Sequence, residues 1–175
     1  RIYNIGGFAG SINSTDISDS DSSGAITVGT TTTGAYYIGG FSGSIEAGGT
    51  ITTSQASSSV TIGNGALIGD IGNFSGLVEA SQISQSFATG NISLGTASDT
   101  GSSLGGIGFV GNAIGNAVIT NCYNRGNISA QFSDAVDYPI AGFIGKVSNT
   151  TTITNSFSTG SITTTNDTSE NLNKG

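Results

Sequence analysis

Residues 38–43 read IGGFSG, and the Phe41-x-Gly43 step inside them recurs along the whole chain. The copies are Phe8/Gly10, Phe41/Gly43, Phe74/Gly76, Phe109/Gly111 and Phe143/Gly145, with successive Phe residues 33, 33, 35 and 34 positions apart. Isoleucine stands three residues before the Phe in four units, at Ile5, Ile38, Ile71 and Ile140. An apolar residue follows the Phe by four or five positions: Ile12, Ile45, Val78, Ile114 and Val147. Nine or ten residues after each Phe comes a second anchor, Ile17, Ile51, Ile83, Ile119 or Ile153. A third follows always nine residues later: Ile26, Val60, Ile92, Ile128 and Ile162, each preceded at two residues by Gly24, Ser58, Gly90, Gly126 or Gly160. Fixed internal spacing over five units is the signature of a repeat architecture.

Each anchor sits in a short stretch of β-branched, hydroxyl and aromatic residues. No stretch sustains the 3.6-residue period of a helix, and the 29 glycines are unfavourable inside helices. Three short strands per unit predict an all-β chain, a parallel β-solenoid of about five coils of ~34 residues, in which each strand pairs with its copy one coil on, roughly 4.8 Å away. The solenoid is expected to form one domain over residues 1–162, with coils of about 1–34, 35–67, 68–102, 103–136 and 137–162, followed by a polar tail at 163–175. The stretches Gly29 to Tyr37, Gly63 to Asp70, Gly95 to Gly105 and Ala130 to Pro139 vary between units, so they should emerge together along one edge. Glycine is expected at coil corners, where φ > 0 carries no Cβ clash. The Phe and Ile rows should stack as ladders, with Ser and Thr outside.

Composition narrows the chemistry. The chain has 175 residues, 27 Ser, 23 Thr, one Cys and no His, and its net charge is −7. Without His there is no Ser-His-Asp or Cys-His centre and no His-ligated metal. Four basic residues against eleven acidic ones argue against nucleic acid as a partner. No apolar run approaches the roughly 18 residues of a membrane-spanning helix, so membrane insertion is not expected. Low charge and a 35% hydrophobic share argue for order over disorder.

The later units read ISQSFATGNIS (Ile83 to Ser93), ITNCYNRGNIS (Ile119 to Ser129) and ITNSFSTGSIT (Ile153 to Thr163). Together with IGGFSG and IAGFIG (Ile140 to Gly145) they resemble the GLUG motif, a repeat of the form GGLVG followed by I-x-N-C/S-Y/F-S-T-G-x-V/I. Units 1 and 2 depart from it, because Asp21 and Gln55 occupy the aromatic position of Phe87, Tyr123 and Phe157. The resemblance implies a non-catalytic repeat of secreted and surface proteins, adhesin-like chains among them, and hence an extracellular or cell-surface location.

Several residues invite a chemical reading. Cys122 stands in line with Ser20, Ser54, Ser86 and Ser156, which makes it a small ladder residue; a thiol nucleophile would need a base. Asp16, Asp19 and Asp21 form a D-x-x-D-x-D cluster whose hard oxygens are candidate Ca²⁺ ligands, although the spacing matches no EF-hand. No other cofactor is expected. Glu46 and Glu79 each lie five residues after the Phe and should stack on adjacent coils, the only paired carboxylates for general acid–base work on a polysaccharide; Asp134 and Asp137 lie in a variable loop. Gln85, Asn121 and Asn155 share a position where amides could bond along a corner. Candidate N-glycosylation sequons occur at Asn13, Asn73, Asn91, Asn127, Asn149 and Asn166, with Asn91 and Asn127 outward on neighbouring coils. Hydroxyl runs at Thr30 to Thr33 and Thr150 to Thr152 are candidate O-glycan carriers. Two hydroxyl rows, Ser18/Thr52/Ser84/Thr120/Thr154 and Ser20/Ser54/Ser86/Cys122/Ser156, are expected to form a flat face on the second strand.

Solenoid ends expose unpaired strand edges that invite pairing. With no capping helix visible, the expectation is a segment of a longer chain or end-to-end self-association through Ile2 to Phe8 and Ile162. The leading function is therefore an extracellular structural or adhesive protein, a glycosylated surface-fibre segment or filament subunit, and no enzyme. The alternative is a binding surface for carbohydrate or ice along the Ser/Thr rows; a carbohydrate-active solenoid using Glu46 and Glu79 ranks third.

Overall fold

A computed structural model of the chain describes residues 2–29, 35–64, 68–97, 105–132 and 138–166. These residues form a parallel β-solenoid with no helix among them. The second anchors lie on Asp16–Ser18, Thr50–Thr52, Gln82–Ser84, Val118–Thr120 and Thr152–Thr154, one sheet five strands deep. The third anchors lie on Ala25–Val28, Ser59–Ile62, Ile92–Ala97, Ile128–Phe132 and Ile162–Asn166, a second five-stranded sheet. Both anchor rows pair residue for residue through all five coils. The last strand continues to Asn166, into the stretch expected to be tail. Parts of the variable stretches, including Thr30 to Thr33, Asp134 and Asp137, lie outside the described residues.

Each coil carries more strands than the three expected, four in units 3 to 5 and five in units 1 and 2. Two-residue strands, Asp21–Ser22, Gln55–Ala56, Phe87–Ala88, Tyr123–Asn124 and Phe157–Ser158, form a third five-stranded sheet between the two anchor sheets. The remaining sheet carries the Phe repeat and is bent sharply inward. In unit 3 it is one strand, Ile68–Glu79, and in units 1 and 2 it divides into Ile2–Gly6 with Ala9–Asn13 and Ala35–Gly39 with Ser42–Glu46. A Cβ on Gly76 would lie 2.8 Å from the carbonyl of Asp70, six residues earlier, and 2.6 Å from the amide of Ile38. An extended strand covers about 20 Å in six residues, so the chain has folded back on itself.

The tip of this infold crosses the solenoid and touches the opposite wall. A Cβ on Gly7 would lie 2.7 Å from Ser58 Oγ, and Ser22 Oγ donates to the Gly40 carbonyl at 2.8 Å. The infold therefore divides the interior in two. One core holds the Phe ladder with Ile51, Ile83, Ile119, Ala56, Ala88 and Cys122; the other holds Ile38, Ile71 and Ile107 with Val60, Ile92 and Ile128. Phe8, Phe41, Phe74, Phe109 and Phe143 stack ring on ring at 4.7, 4.9, 5.1 and 5.0 Å. The three middle rings are fully buried, whereas Phe8 is 48% exposed at the open end of its ladder. The same exposure affects Ile153 (40%) and Ile162 (44%) at the other end, while Ile17 and Ile26 are half-buried.

Unit 4 is one residue shorter at the tip. Ile107 pairs with Ile71 and completes the isoleucine row, and a register shift between Gly72 and Ser75 absorbs the missing residue. The Asn124 side chain fills the gap: its Nδ2 donates to Asn73 Oδ1 at 3.2 Å and to the Gly142 carbonyl at 2.7 Å, and its Oδ1 accepts from the Gly126 amide. The same shift places Ala113, rather than the expected Ile114, in the row of Val78 and Val147; Ile114 pairs with Glu79.

Gly24, Gly48 and Gly115 hold positive φ as expected of corner glycines, but glycine has a second task. Two columns of corners are left-handed, and most of their residues are not glycine. One comprises Asp19, Thr53, Gln85, Asn121 and Asn155, at φ between 47° and 53°; the other includes Ser14, Ala47, Ala80 and Asn149. Most glycines instead permit close approach of backbone to backbone in the infold. Two substitutions should thus have opposite signs. Gly76→Ala drives a methyl group into fixed backbone and should destabilise by about 3 kcal/mol or more. Thr53→Asn relieves a β-branched residue at φ 47° and should stabilise by roughly 1 kcal/mol. Urea unfolding of both variants measures the pair.

Candidate functional site

The left-handed corner reverses the inside–outside alternation of the second strand. Ser18, Thr52, Ser84, Thr120 and Thr154 precede the corner and face outward, but the next hydroxyl row turns inward. Ser54, Ser86 and Cys122 are buried, and Ser20 and Ser156 are half-buried. This corrects the expectation of two hydroxyl rows on one flat face. The inward row is a hydrogen-bond relay. The amides of Ser20, Ser54 and Cys122 donate to the Oγ of Ser54, Ser86 and Ser156 at 3.3, 3.1 and 3.1 Å. Each hydroxyl in turn donates to the carbonyl two residues back, as Ser54 does to Thr52 at 2.8 Å.

Cys122 occupies this relay as a hydroxyl substitute, its Sγ 3.2 Å from the Thr120 carbonyl. Burial pushes its thiol up to about 11, against the opposing pull of backbone hydrogen bonds at Ser86 and Thr120. The folded thiol therefore holds its proton longer than the unfolded one, whose ordinary value is 9.0. Stability from this group is full below pH 9 and declines as pH rises towards 11. In the native chain Cys122 should resist a thiol reagent at pH 8 and react on addition of denaturant; Cys122→Ser should fold within about 1 kcal/mol of the parent and show a shallower alkaline decline. Rapid labelling of the native thiol would contradict this geometry.

A different hydroxyl row does form a regular surface. Thr27, Thr61, Ser93, Ser129 and Thr163 pair in strict register on the third-anchor sheet, and all five are exposed. Beside it, Ser59, Asn91, Asn127 and Ser161 are linked from coil to coil. The Asn127 amide donates to Asn91 Oδ1 and the Ser161 amide to Asn127 Oδ1, both at 2.9 Å. The amide ladder expected at Gln85, Asn121 and Asn155 thus forms on Asn91 and Asn127, while the former three serve as the left-handed corner.

The acidic residues of unit 1 do not converge. Asp16, Asp19 and Asp21 are all exposed, on one strand, its corner and the next strand, and Asp19 Oδ1 accepts from Thr53 Oγ1 at 2.6 Å. Among the described residues no three acidic or thiol groups are placed to hold a metal ion, so the expected Ca²⁺ cluster is not assembled. Of the sequons, Asn13, Asn91, Asn127 and Asn149 are exposed. Asn73 is fully buried and donates to the Gly90 carbonyl, so it cannot carry a glycan in the folded chain. The side chain of Asn166 lies outside the described residues.

The densest group of titratable residues lies in the seam where the two arms of the infold meet. Asn4, Tyr37 and Asp70 are in register on one arm; Ser11, Ser44, Leu77, Asn112 and Lys146 are in register on the other. Hydrogen bonds join the arms: Asn4 Nδ2 to Ser44 Oγ at 3.2 Å, and Asn112 Nδ2 to Asp70 Oδ2 at 3.3 Å. Asp70 is 6% exposed, and its Oδ1 accepts the Gly106 amide at 2.8 Å. Burial raises its carboxyl above the usual range, opposed by the Gly106 and Asn112 hydrogen bonds and by the charge of Lys146. Burial also raises Tyr37, as do the charges of Asp70, Glu46 and Glu79. Glu46 and Glu79 thus lie near the seam, one residue beyond the Ile45–Val78 pair on adjacent coils. Sequence reading missed Asp70 because it closes a variable stretch; its only signal was a charge three residues before a repeat Phe's neighbour Asn73. Comparison with known protein families, curated proteins and solved structures gives no match.

Proposed function

We propose that the chain is an extracellular structural element, a stiff β-solenoid segment of a surface fibre that is lengthened at its open ladder ends. The observation that carries this reading is where apolar surface remains. Among the described residues, the large hydrophobic side chains left exposed, Tyr3, Phe8, Val147, Ile153, Phe157 and Ile162, lie on the first and last coils. Among the described residues those coils carry the outermost strands of every sheet, and open parallel edges are templates for further pairing. Continued stacking, by further coils or by other copies, would extend each row with the same residue type. The location rests on the resemblance of units 3 to 5 to GLUG repeats. The reading assigns the protein no reaction, and the sites where glycans would fit are exposed Asn13 and Asn149 and at most one of Asn91 and Asn127, which stand about 5 Å apart on adjacent coils.

Electron microscopy of the purified chain at high concentration tests the self-assembly arm. End-to-end filaments are expected, and Ile153→Lys combined with Ile162→Lys should abolish them by placing charge on the exposed rows. A chain that stays monomeric at all concentrations would sink that arm. A second reading is favoured by the exposed row Thr27/Thr61/Ser93/Ser129/Thr163, whose regular spacing suits recognition of carbohydrate or ice. It predicts thermal hysteresis or glycan-array binding that Thr61→Lys removes; silence in both assays would eliminate it.

A further inference from the structure

Asn112 and Lys146 are direct partners on adjacent strands of units 4 and 5, so their side chains leave the sheet side by side. Asp70 faces them from the other arm of the seam and holds Asn112 Nδ2 at 3.3 Å. Asn112 Oδ1 is buried and has no hydrogen-bond partner, an arrangement that carries a cost. Lys146 is close enough to Asp70 for its charge to act on the carboxyl. An amine on the exposed side, a carboxamide and a buried carboxyl group thus share the seam.

From this juxtaposition we propose that Lys146 and Asn112 become joined by an amide bond between their side chains, with Asp70 as the proton carrier. If the Asn112 amide turns over, neutral Asp70 donates to the orphan Oδ1 and draws electron density from Cγ. Burial, which favours the protonated carboxyl, prepares this state. Lys146 releases one proton to solvent, and its Nζ attacks Asn112 Cγ. The Nζ–Cγ bond forms while the Asp70 proton moves to the amide oxygen. The Asp70 carboxylate then takes a proton from Nζ and delivers it to Nδ2. The Cγ–Nδ2 bond breaks, ammonia leaves, the carbonyl reforms, and Asp70 recovers its proton. The net change is amine plus primary amide to secondary amide plus ammonia, with no oxidant or reductant.

The bond would staple unit 5 to unit 4. Unit 5 is where Ile153, Phe157 and Ile162 are most exposed, so it is the coil least held by packing. Closing the chain between residues 112 and 146 also restricts the unfolded state, as a disulfide does.

Intact-mass spectrometry of the full chain, aged at mildly alkaline pH, tests the proposal independently of fibre formation. The expected mass is that of the sequence less one ammonia, with a branched peptide joining Asn112 to Lys146. Asp70→Asn keeps the acceptor for the Gly106 amide but cannot carry the proton, and should restore the full mass, as should Lys146→Arg. A parent chain that keeps its full mass and a freely acetylated Lys146 would overturn the proposal. So would loss of ammonia that persists in Lys146→Arg, since that marks succinimide formation at an asparagine.

Discussion

Backbone meets backbone at the tip of the infold, and the rest of the molecule is arranged around that contact. A chain that folds inward and touches its own far wall leaves no room for a Cβ at Gly7 or Gly76. It also splits the interior into two cores, each filled by a few stacked rows of side chains. The Phe ladder helps fill one and the Ile38 row helps fill the other. Where the tip is a residue short, in unit 4, a carboxamide from Asn124 replaces the missing backbone. At the waist Ser22, Asn73 and Asn124 are packing elements with hydrogen-bond partners, whereas the buried Ser58 and Ser158 hydroxyls have none.

Much of this was legible in the sequence, because stacking makes identical positions neighbours. The second and third anchor rows, the solenoid and the aromatic position shared by Phe87, Tyr123 and Phe157 all follow from spacing alone. The infold does not, since spacing reports which residues recur and not whether the chain bends between them. The same limit explains the hydroxyl rows. Ser20 and Ser54 alternate with Ser18 and Thr52 as outward residues would, but a left-handed residue between them sends the second row inside. Glycine was assigned to the corners by its conformational freedom, which Gly24, Gly48 and Gly115 do use, whereas in the infold the structure uses its lack of a side chain. Asp70 belongs to no repeat row of charges and so left no periodic signal.

Stability in such a molecule is a nearest-neighbour property. Every strand pairs only with the coils on either side, and the cores have no centre that all coils share. The middle coils bury both faces of each ladder residue; the first and last bury one. This gradient makes the outer described coils the place where local opening begins; of the seam's charged groups only Lys146 lies there, Asp70 being buried in unit 3.

The strict register of the coils separates two dimensions that most proteins cannot vary independently. The cross-section is held by the infold, which recurs from unit to unit. The length is an open variable, because every coil presents to the next nearly the surface it receives. Duplicating one unit of the chain would add about 4.8 Å of rod and one more ring to the Phe column without repacking any existing layer. A single-residue change within a unit, by contrast, has to be absorbed by a bulge, as between Gly72 and Ser75. Such a molecule is suited to acting as a ruler, whose reach is set by counting coils.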